Sequence, residues 1–498
     1  MLRPLKNYLF CILSAVLLAL PFTNFNLWIF AWFGFIPFLF VLQNKTPLKA
    51  FLLAYFTGVI FWSVVIYWLI HVTVLGTIIL ILYLSLYFGL FGFIIAPRIT
   101  GAGKRVLVFI PVVWVLLEFL RSYLLTGFPW AVLGYSQTSN LAVIQIADIT
   151  GTWGISFLVV LVNMALYMVC FAHPAKNIRK QIALITLTSA AIVLGYGFLK
   201  LLHTDKGPSV VQERVAVVQG NIPQELKWDR HAQEYIINKY TGLTHKALND
   251  SPDLIIWPEA SWPFLLTGED ILDKKGVEFL DKLNSPLIFG AVTVREGLYY
   301  NSAIFSRRNS KSLGIYDKLH LVPFGEYIPL KRAFPFLETI APIGDITRGN
   351  RYAIFSAKND FSVLICFEDL FPELSRRFVS RGATFLVNIT NDAWYKETTA
   401  AYQHLQASIM RAVENRVPVI RSANTGISAF IDNKGRVVSL VQDNSGRKIF
   451  IEGIASSSMN IVKGNHRTVY NYIGDLFIVF CLFYFIYFLA APYALPHR

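Results

Sequence analysis

Long apolar runs separated by short basic loops fill the first two fifths of the chain. Seven such runs precede residue 203, and an eighth lies near the C-terminus. They cover residues 8–22, 25–42, 50–71, 74–97, 106–125, 153–172, 182–202 and 470–491. Most approach the length of about 20 residues that crosses the hydrocarbon core of a bilayer. The pattern predicts a polytopic α-helical membrane protein with about eight transmembrane helices, of which the first two are short.

Residues 203–467 have a different pattern, in which short apolar runs alternate with amphipathic segments and turn residues. β-Branched runs between helical patterns are typical of an α/β sheet domain. The predicted strands are Val215–Gln219, Leu254–Trp257, Leu287–Val292, Ala303–Ser306, Ser362–Cys366, Thr384–Asn388, Val417–Arg421 and Ile427–Ile431. The predicted helices are 230–249, 270–284, 371–381 and 399–415. We therefore expect a seven-helix membrane domain over 1–202, an α/β domain over 203–467 and a C-terminal transmembrane helix within 468–498.

The composition supports a chain that is partly embedded in a membrane. Of the 498 residues, 55% are hydrophobic and 15% are charged, whereas a soluble domain carries about 25% charged residues. Four cysteines in this length argue against a disulfide scaffold. The net charge of +14 first suggests a nucleic-acid partner, so the position of the basic residues decides its meaning.

Most of the positive charge lies in the membrane part. Residues 1–202 hold twelve Lys and Arg against two acids, Glu118 and Asp148. The basic loops are 43–49, 98–105 and 173–180, and the loops without Lys or Arg are 22–25, 71–74 and 126–152. The basic loops all fall on the side of the N-terminus, which is the positive-inside pattern. It places both termini in the cytoplasm and residues 203–467 outside, and it argues against a nucleic-acid partner.

Two ionisable residues, Glu118 and Arg121, lie within the fifth apolar run. Their i,i+3 spacing places them on one face of a helix. They form either a mutual pair that lowers the cost of burial or a contact for a polar ligand group, since charges inside membranes are often functional. The aromatic residues Phe128 and Trp130 follow, and we expect them at the outer membrane interface.

Chemically active residues follow several strands of the α/β domain. Glu259 follows the strand Leu254–Trp257, Lys318 follows Tyr316 and Asp317, and Cys366 ends a strand. Ligands of α/β sheets bind outside the carboxyl ends of the strands, so these side chains could converge. A thiolate is a nucleophile, a carboxylate can take the thiol proton, and a lysine can stabilise the resulting anions.

Each of these residues also has a structural interpretation. A lone cysteine after an apolar strand can be a small buried hydrophobe, Glu259 a helix N-cap or surface acid, and Lys318 a solvated charge. No His/Cys spacing fits a metal site and no Gly-rich phosphate loop occurs, so neither metal nor cofactor is expected.

Sequence motifs decide between these interpretations. The segments Trp-Pro-Glu (257–259), Lys318 with Val-Pro-Phe-Gly-Glu (322–326), and Ile-Cys-Phe-Glu (365–368) resemble the Glu–Lys–Cys signatures of the nitrilase superfamily. Further segments are similar to those of apolipoprotein N-acyltransferases: 126–137, 218–228, 320–326, 391–394, 411–414 and 421–426. The resemblance runs nearly from end to end.

The resemblance implies a multi-pass enzyme of the bacterial inner membrane with a periplasmic nitrilase-like αββα domain. Such enzymes move an acyl chain from a phospholipid, typically phosphatidylethanolamine, to the α-amino group of the diacylglyceryl-cysteine at the N-terminus of an apolipoprotein. The reaction is ping-pong through a cysteine thioester and completes lipoprotein maturation. It uses no cofactor, and we expect a monomer.

The resemblance also assigns roles to residues. Cys366 is the implied nucleophile, Glu259 the general base and then acid, and Lys318 the group that stabilises the oxyanion. The supporting residues it implies are Glu326, Glu368 and Trp228. Two positions depart from the family pattern: Phe367 stands where tyrosine is usual, and Tyr395-Lys396 stands where Phe-Gly is usual.

Two other functions share some of these features. A membrane-anchored amidase of the nitrilase type would use the same Glu, Lys and Cys but would not need eight spans. A receptor or transporter with an outer binding domain is the second alternative, but transporters place polar sites at mid-membrane, whereas this chain has only Glu118 and Arg121 there. The apolar loops 262–266 and 334–337 either cover the site and contact the bilayer or pack on the domain itself.

Overall fold

The computed structural model describes residues 2–99, 104–172, 174–203, 210–267, 278–280, 282–283, 285–307, 313–328, 345–464 and 467–490. The chain forms two compact units, one of Met1–His203 with Tyr472–Arg498 and one of Thr204–Asn471. In chain order the described α-helices are α1 (Leu2–Ala19), α2 (Ile36–Leu42), α3 (Pro47–Val65), α4 (Val74–Ile95), α5 (Lys104–Tyr123), α6 (Leu141–Ile144), α7 (Ala147–Thr150), α8 (Thr152–Phe171), α9 (Lys176–Leu202), α10 (Gln233–Leu248), α11 (Pro372–Ser380), α12 (Ala400–Asn415), α13 (Val469–Ile473) and α14 (Leu476–Ala490).

Six helices of the first unit are long and apolar enough to cross a membrane, counted over the described residues. They are Leu5–Phe22, Pro47–Val65, Val74–Ile95, Lys104–Thr126, Thr152–Phe171 and Lys176–Leu202. The predicted runs 25–42 and 470–491 correspond to the shorter apolar helices Trp28–Leu42 and Leu476–Ala490. The prediction of a polytopic helical membrane protein is confirmed, and its count of eight spans is approximate.

The apolar run 25–42 does not form one continuous helix, and hydropathy does not detect the interruption. A 3₁₀ turn over Trp28–Trp32 precedes α2, so backbone groups between them lack helical partners. The side chain of Asn163, on α8, accepts a hydrogen bond from the N–H of Phe35 at 2.9 Å. It also donates to the carbonyl of Ala31 at 2.8 Å. One buried amide therefore satisfies two of the backbone polar groups near the break.

Glu118 and Arg121 hold the segment that follows α5. The Arg121 guanidinium donates to the carbonyl oxygens of Phe128, at 2.5 Å, and Trp130, at 2.8 Å. The Glu118 carboxylate accepts from the N–H of Leu133 at 2.6 Å and lies 4.0 Å from the guanidinium. Trp130, which we expected at the membrane interface, is only 1% exposed and is therefore buried within the protein. The charged pair holds this buried segment through its backbone.

Replacing Arg121 by methionine is expected to lower the free energy of unfolding by about 3–5 kcal/mol, because it leaves the buried Glu118 without its cation. Thermal unfolding of the detergent-purified protein measures this change. Arg105→Met is the matched control, since Arg105 is an exposed residue in the first turn of the same helix. Equal decreases in stability in the two variants would contradict the role of Arg121 in holding the segment that follows α5.

The second unit contains two mixed sheets. Their strands are β1 (Val210–Gln219), β2 (Leu254–Ile256), β3 (Leu266–Thr267), β4 (Leu287–Arg295), β5 (Leu298–Ser306), β6 (Leu313–Asp317), β7 (Phe355–Ser356), β8 (Asp360–Ile365), β9 (Phe385–Thr390), β10 (Val419–Ala423), β11 (Ala429–Ile431), β12 (Val437–Leu440) and β13 (Gly453–Val462). One sheet has the order β13-β1-β2-β4-β5-β6, with β3 paired to β4, and the other has the order β12-β11-β10-β9-β8-β7. Parallel pairing joins β1, β2 and β4 in the first sheet and β8, β9 and β10 in the second.

The sheets pack face to face between helices. The Ser422 hydroxyl of β10 donates to the carbonyl of Ile256 in β2 at 3.1 Å. Helix α10 covers the first sheet, where Tyr240 stacks on Trp257 with 4.9 Å between ring centroids. Helices α11 and α12 pack against β8 and β10 of the second sheet. The predicted α/β domain is confirmed, with layers in the order helix, sheet, sheet, helix.

The eight predicted strands are all present with shifted ends, and the described part of the domain has five further strands that were not predicted. The longest of these is β13, whose serine-rich, half-exposed sequence has a weak strand pattern; its full pairing with β1 stabilises it. Most of the predicted helix 270–284 and the loop 334–337 lie outside the described residues. In the loop 262–266, Trp262 packs on the domain core, whereas Leu265 is 50% exposed.

Candidate active site

Three strand ends carry the residues that the sequence singled out. Glu259 lies three residues after β2, Lys318 directly follows β6, and Cys366 directly follows β8. Cys366 begins a 3₁₀ turn with a φ of 53°, in the left-handed region that residues other than glycine rarely adopt. Such conformations cluster at functional sites. The sharp turn places the cysteine immediately beyond the end of its strand.

Lys318 joins the carboxylates of the site. Its ammonium lies 3.0 Å from Oε1 and 2.9 Å from Oε2 of Glu326, and 3.6 Å from Oε1 of Glu259. Burial by itself lowers the pKa of Lys318, but the carboxylates of Glu326 and Glu259 outweigh it and raise this pKa above its usual range. A buried, permanently charged ammonium therefore lies beside Glu259.

Cys366 is a thiol rather than a thiolate in this resting arrangement. Burial raises the pKa of Cys366, the Glu259 carboxylate raises it further, and Lys318 opposes them. The backbone of the turn is fixed from behind, because the Asn388 amide donates to the carbonyl of Cys366 at 3.1 Å. If Cys366 acts as a nucleophile, a base must take its proton, and Glu259, whose charge acts on the thiol, is suited to that role.

Asn301 links the two carboxylates and was not found from the sequence. It lies in β5, and its Nδ2 donates to Oε1 of Glu259 and to Oε1 of Glu326, both at 2.8 Å. The side chain is 8% exposed. The only sequence signal was a polar Asn-Ser pair inside an otherwise apolar strand. Asn301 fixes the spacing of the carboxylates on either side of Lys318.

Glu368 connects the loop that carries Lys318 to the turn that carries Cys366. Its Oε1 accepts from the N–H groups of Leu319 at 2.6 Å and His320 at 3.0 Å. Its Oε2 accepts from the N–H of Ile365 at 2.8 Å. Burial raises the pKa of Glu368 to about 7, while these backbone donors and Lys318 act in the opposite direction. These contacts indicate that Glu368 holds the Lys318 loop and the Cys366 turn in fixed positions relative to each other.

Replacing Glu368 by glutamine is expected to lower the free energy of unfolding by about 1–3 kcal/mol, because the amide NH₂ cannot accept the N–H groups that one carboxylate oxygen accepts. Turnover should fall as well, since the Lys318 loop loses its link to Cys366. Thermal unfolding and kcat of the same preparation measure both effects. Glu397→Gln, at a side chain that is 61% exposed, is the control; an equal effect there would contradict this role.

A buried charge network supports the Cys366 turn from below. The His404 imidazole lies 2.9 Å from Asp369 and 2.9 Å from Asp392. Arg421 reaches the same two carboxylates, at 3.3 and 2.9 Å. Burial and Arg421 lower the pKa of His404, but the two carboxylates outweigh them and raise it to about 9. Two cations therefore balance two anions beneath the cysteine.

The other two residues named from the sequence differ in exposure. Trp228 is 55% exposed, so its ring is available to a ligand. Phe367, at the position where the family usually has tyrosine, is 5% exposed. Its ring packs edge-on against Phe371 with 5.4 Å between centroids. The side chain at 367 has a packing role that does not require a hydroxyl.

The chain is similar to known proteins over almost its whole length. Residues 14–165 match the family described as apolipoprotein N-acyltransferase N-terminal domain, and residues 214–460 match the carbon-nitrogen hydrolase family. Apolipoprotein N-acyltransferase of Geobacter metallireducens is 38% identical over 96% of this chain and 94% of its own. Apolipoprotein N-acyltransferase 1 of Treponema denticola is 29% identical over 95% of this chain and 94% of its own. The crystal structure of Saccharomyces cerevisiae Nit3, of the nitrilase superfamily, aligns with a TM-score of 0.39 and 17% identity over 59% of this chain and 100% of its own.

Proposed function

The chain belongs to the apolipoprotein N-acyltransferase family and is a membrane-embedded acyltransferase that N-acylates lipoproteins, and from this premise we propose its donor, its residues and its mechanism. The donor is a membrane phospholipid, with phosphatidylethanolamine as the proposed head group. The acceptor is the α-amino group of an N-terminal diacylglyceryl-cysteine. Cys366 carries the acyl chain between them as a thioester.

In the first half-reaction, the Glu259 carboxylate takes the thiol proton and the sulfur of Cys366 attacks the ester carbonyl of the phospholipid. Negative charge develops on the carbonyl oxygen, where the Lys318 ammonium stabilises it. The C–O bond to the glycerol then breaks. The leaving oxygen takes the proton from Glu259, and a lyso-phospholipid departs.

In the second half-reaction, the α-amine of the lipoprotein attacks the thioester. Glu259 takes a proton from the attacking nitrogen and returns it to the leaving sulfur, so the amide forms and the thiol is restored. Glu326 and Glu368 keep Lys318 and the catalytic loops in place. Trp228 offers an exposed ring to one of the lipid substrates.

One observation supports this mechanism above the others: the Lys318 ammonium lies within 3.6 Å of the Glu259 carboxylate, and both bear on the thiol of Cys366. This is a base, a nucleophile and an oxyanion donor at one rim. The test is mass spectrometry of the purified enzyme after incubation with a phospholipid of defined acyl chains. We expect an acyl adduct on Cys366 that disappears when a diacylglyceryl-cysteine peptide is added. Hydrolysis of small amides without any adduct would favour the amidase.

We place the protein in the bacterial inner membrane as a monomer with both termini in the cytoplasm. The basic loops 43–49, 98–105 and 173–180 support this orientation, which puts residues 203–467 in the periplasm. Reporter fusions that are active only in one compartment test it. A C-terminal fusion active in the periplasm would overturn the orientation.

A further inference from the structure

Lys227 is a buried lysine to which the mechanism above gives no role. It is 4% exposed and directly precedes the exposed Trp228. Its ammonium donates to the backbone carbonyl oxygens of Glu259, at 2.9 Å, and Ala260, at 3.2 Å. Burying an ammonium group against neutral carbonyls alone is unfavourable, because the carbonyls do not replace the full hydration of the charge. A position that keeps such a charge therefore calls for a functional explanation.

The turn that Lys227 binds is conformationally unusual. Ala260 has a φ of 46°, in the left-handed region. On its other side the turn rests on the backbone of β4, where a Cβ at Gly290 would lie 2.5 Å from the nitrogen of Ala260 and 2.6 Å from Cα of Glu259. The N–H of Gly290 donates to the carbonyl of Pro258 at 3.1 Å. The turn is thus held between a glycine backbone and the Lys227 ammonium.

Lys227 also adds charge to the site. Two carboxylates, Glu259 and Glu326, contact the single ammonium of Lys318, and Lys227 supplies a second positive charge. Burial lowers the pKa of Lys227 to about 8, while the Glu259 carboxylate, and the Cys366 thiolate when it forms, act in the opposite direction. Lys227 is therefore mostly protonated at neutral pH and loses its proton in mildly alkaline solution.

We propose that Lys227 is a positioning residue for acyl transfer, whose ammonium fixes the Glu259 turn so that the carboxylate stays within reach of the Cys366 thiol. The inference rests on the proposed roles of those two residues. Lys227 itself exchanges no proton with the substrate. A misplacement of the base by about 1 Å is enough to slow a reaction by about 10²-fold. The contribution of Lys227 to the position of Glu259 should therefore be measurable in kcat.

The test measures acylation of Cys366 alone, as the burst of lyso-phospholipid released by the full-length enzyme in mixed micelles without a lipoprotein acceptor. Lys227→Met should slow this burst by about 10²-fold and leave the half-saturating phospholipid concentration unchanged. Lys227→Arg, which keeps a charged donor, should recover most of the rate. Lys396→Met is the matched control, because Lys396 pairs with Glu225 of the same segment at 2.8 Å while its side chain is 51% exposed; it should acylate at the wild-type rate.

The proposal would be overturned if Lys227→Met showed a burst at the wild-type rate. It would also be overturned if the variant changed only the half-saturating phospholipid concentration. If Lys227→Met does not accumulate as folded protein, the pH profile decides. The wild-type burst rate should fall above about pH 8 as Lys227 loses its proton, and Lys227→Arg should lack this decline because a guanidinium stays charged. Coincident profiles would reject the role of Lys227. A wild-type enzyme that forms no acyl adduct would instead reject the proposed function.

Discussion

Replacing Cys366 by serine is expected to abolish the acyl adduct and to reduce lipoprotein N-acylation by on the order of 10⁴-fold or more, as for other enzymes that lose their nucleophile. The charges of Glu259 and Lys318 both act on the thiol of Cys366, and its raised pKa makes it dependent on a base. An alcohol is a far weaker acid than a thiol. The same carboxylate therefore cannot generate enough of the nucleophilic form.

The measurement combines mass spectrometry of the adduct with transfer of a labelled acyl chain to a diacylglyceryl-cysteine peptide. Cys170→Ser is the matched control, because Cys170 is an exposed cysteine on α8 in the helical unit. It should retain full activity. Transfer by Cys366→Ser at a rate near that of the wild type would remove the thioester from the mechanism. If the variant loses activity but unfolds at the same temperature as the wild type, the loss is one of chemistry and not of folding.

The main elements of this protein could be predicted because each has a strong local signal. The spans near α3, α4 and α8 are continuous apolar stretches, and β2, β8 and β9 are short β-branched runs. Cys366 and Glu259 could be placed at strand ends because parallel strands carry their ligands there. The resemblance to a known family then ordered these residues into one site.

What could not be predicted arises from contacts between distant parts of the chain. The side chain of Asn301 donates to Glu259, which is 42 positions away in the sequence, and Lys227 donates to the backbone of the same turn, which is 32 positions away. Neither residue has a periodicity or spacing that distinguishes it from an ordinary polar residue. The same holds for Asn163, which reaches Phe35 across 128 positions. Buried polar side chains of this kind show their function only through the partners that satisfy them.

Replacing Glu259 by glutamine is expected to slow acylation of Cys366 by about 10²–10⁴-fold, the contribution of a general base. The amide has nearly the shape of the carboxylate, and its oxygen can still accept from Asn301 at the position that now lies 2.8 Å away. Folding should therefore be preserved while the proton acceptor is lost. Removing the negative charge also removes one cause of the raised pKa of Cys366, which offsets only part of the loss.

The leaving group separates the two roles of Glu259. In the proposed mechanism, a phospholipid donor releases a lyso-phospholipid alkoxide that needs a proton from Glu259, whereas an aryl ester releases a weakly basic phenolate that needs none. The Glu259→Gln variant should consequently lose less activity toward an aryl ester than toward a phospholipid, both measured as single-turnover acylation. Glu452→Gln, at an exposed residue that pairs with Lys239 at 2.9 Å, should match the wild type on both donors. Equal losses on the two donors would leave Glu259 as a base alone, and wild-type rates on both would assign proton transfer to another group.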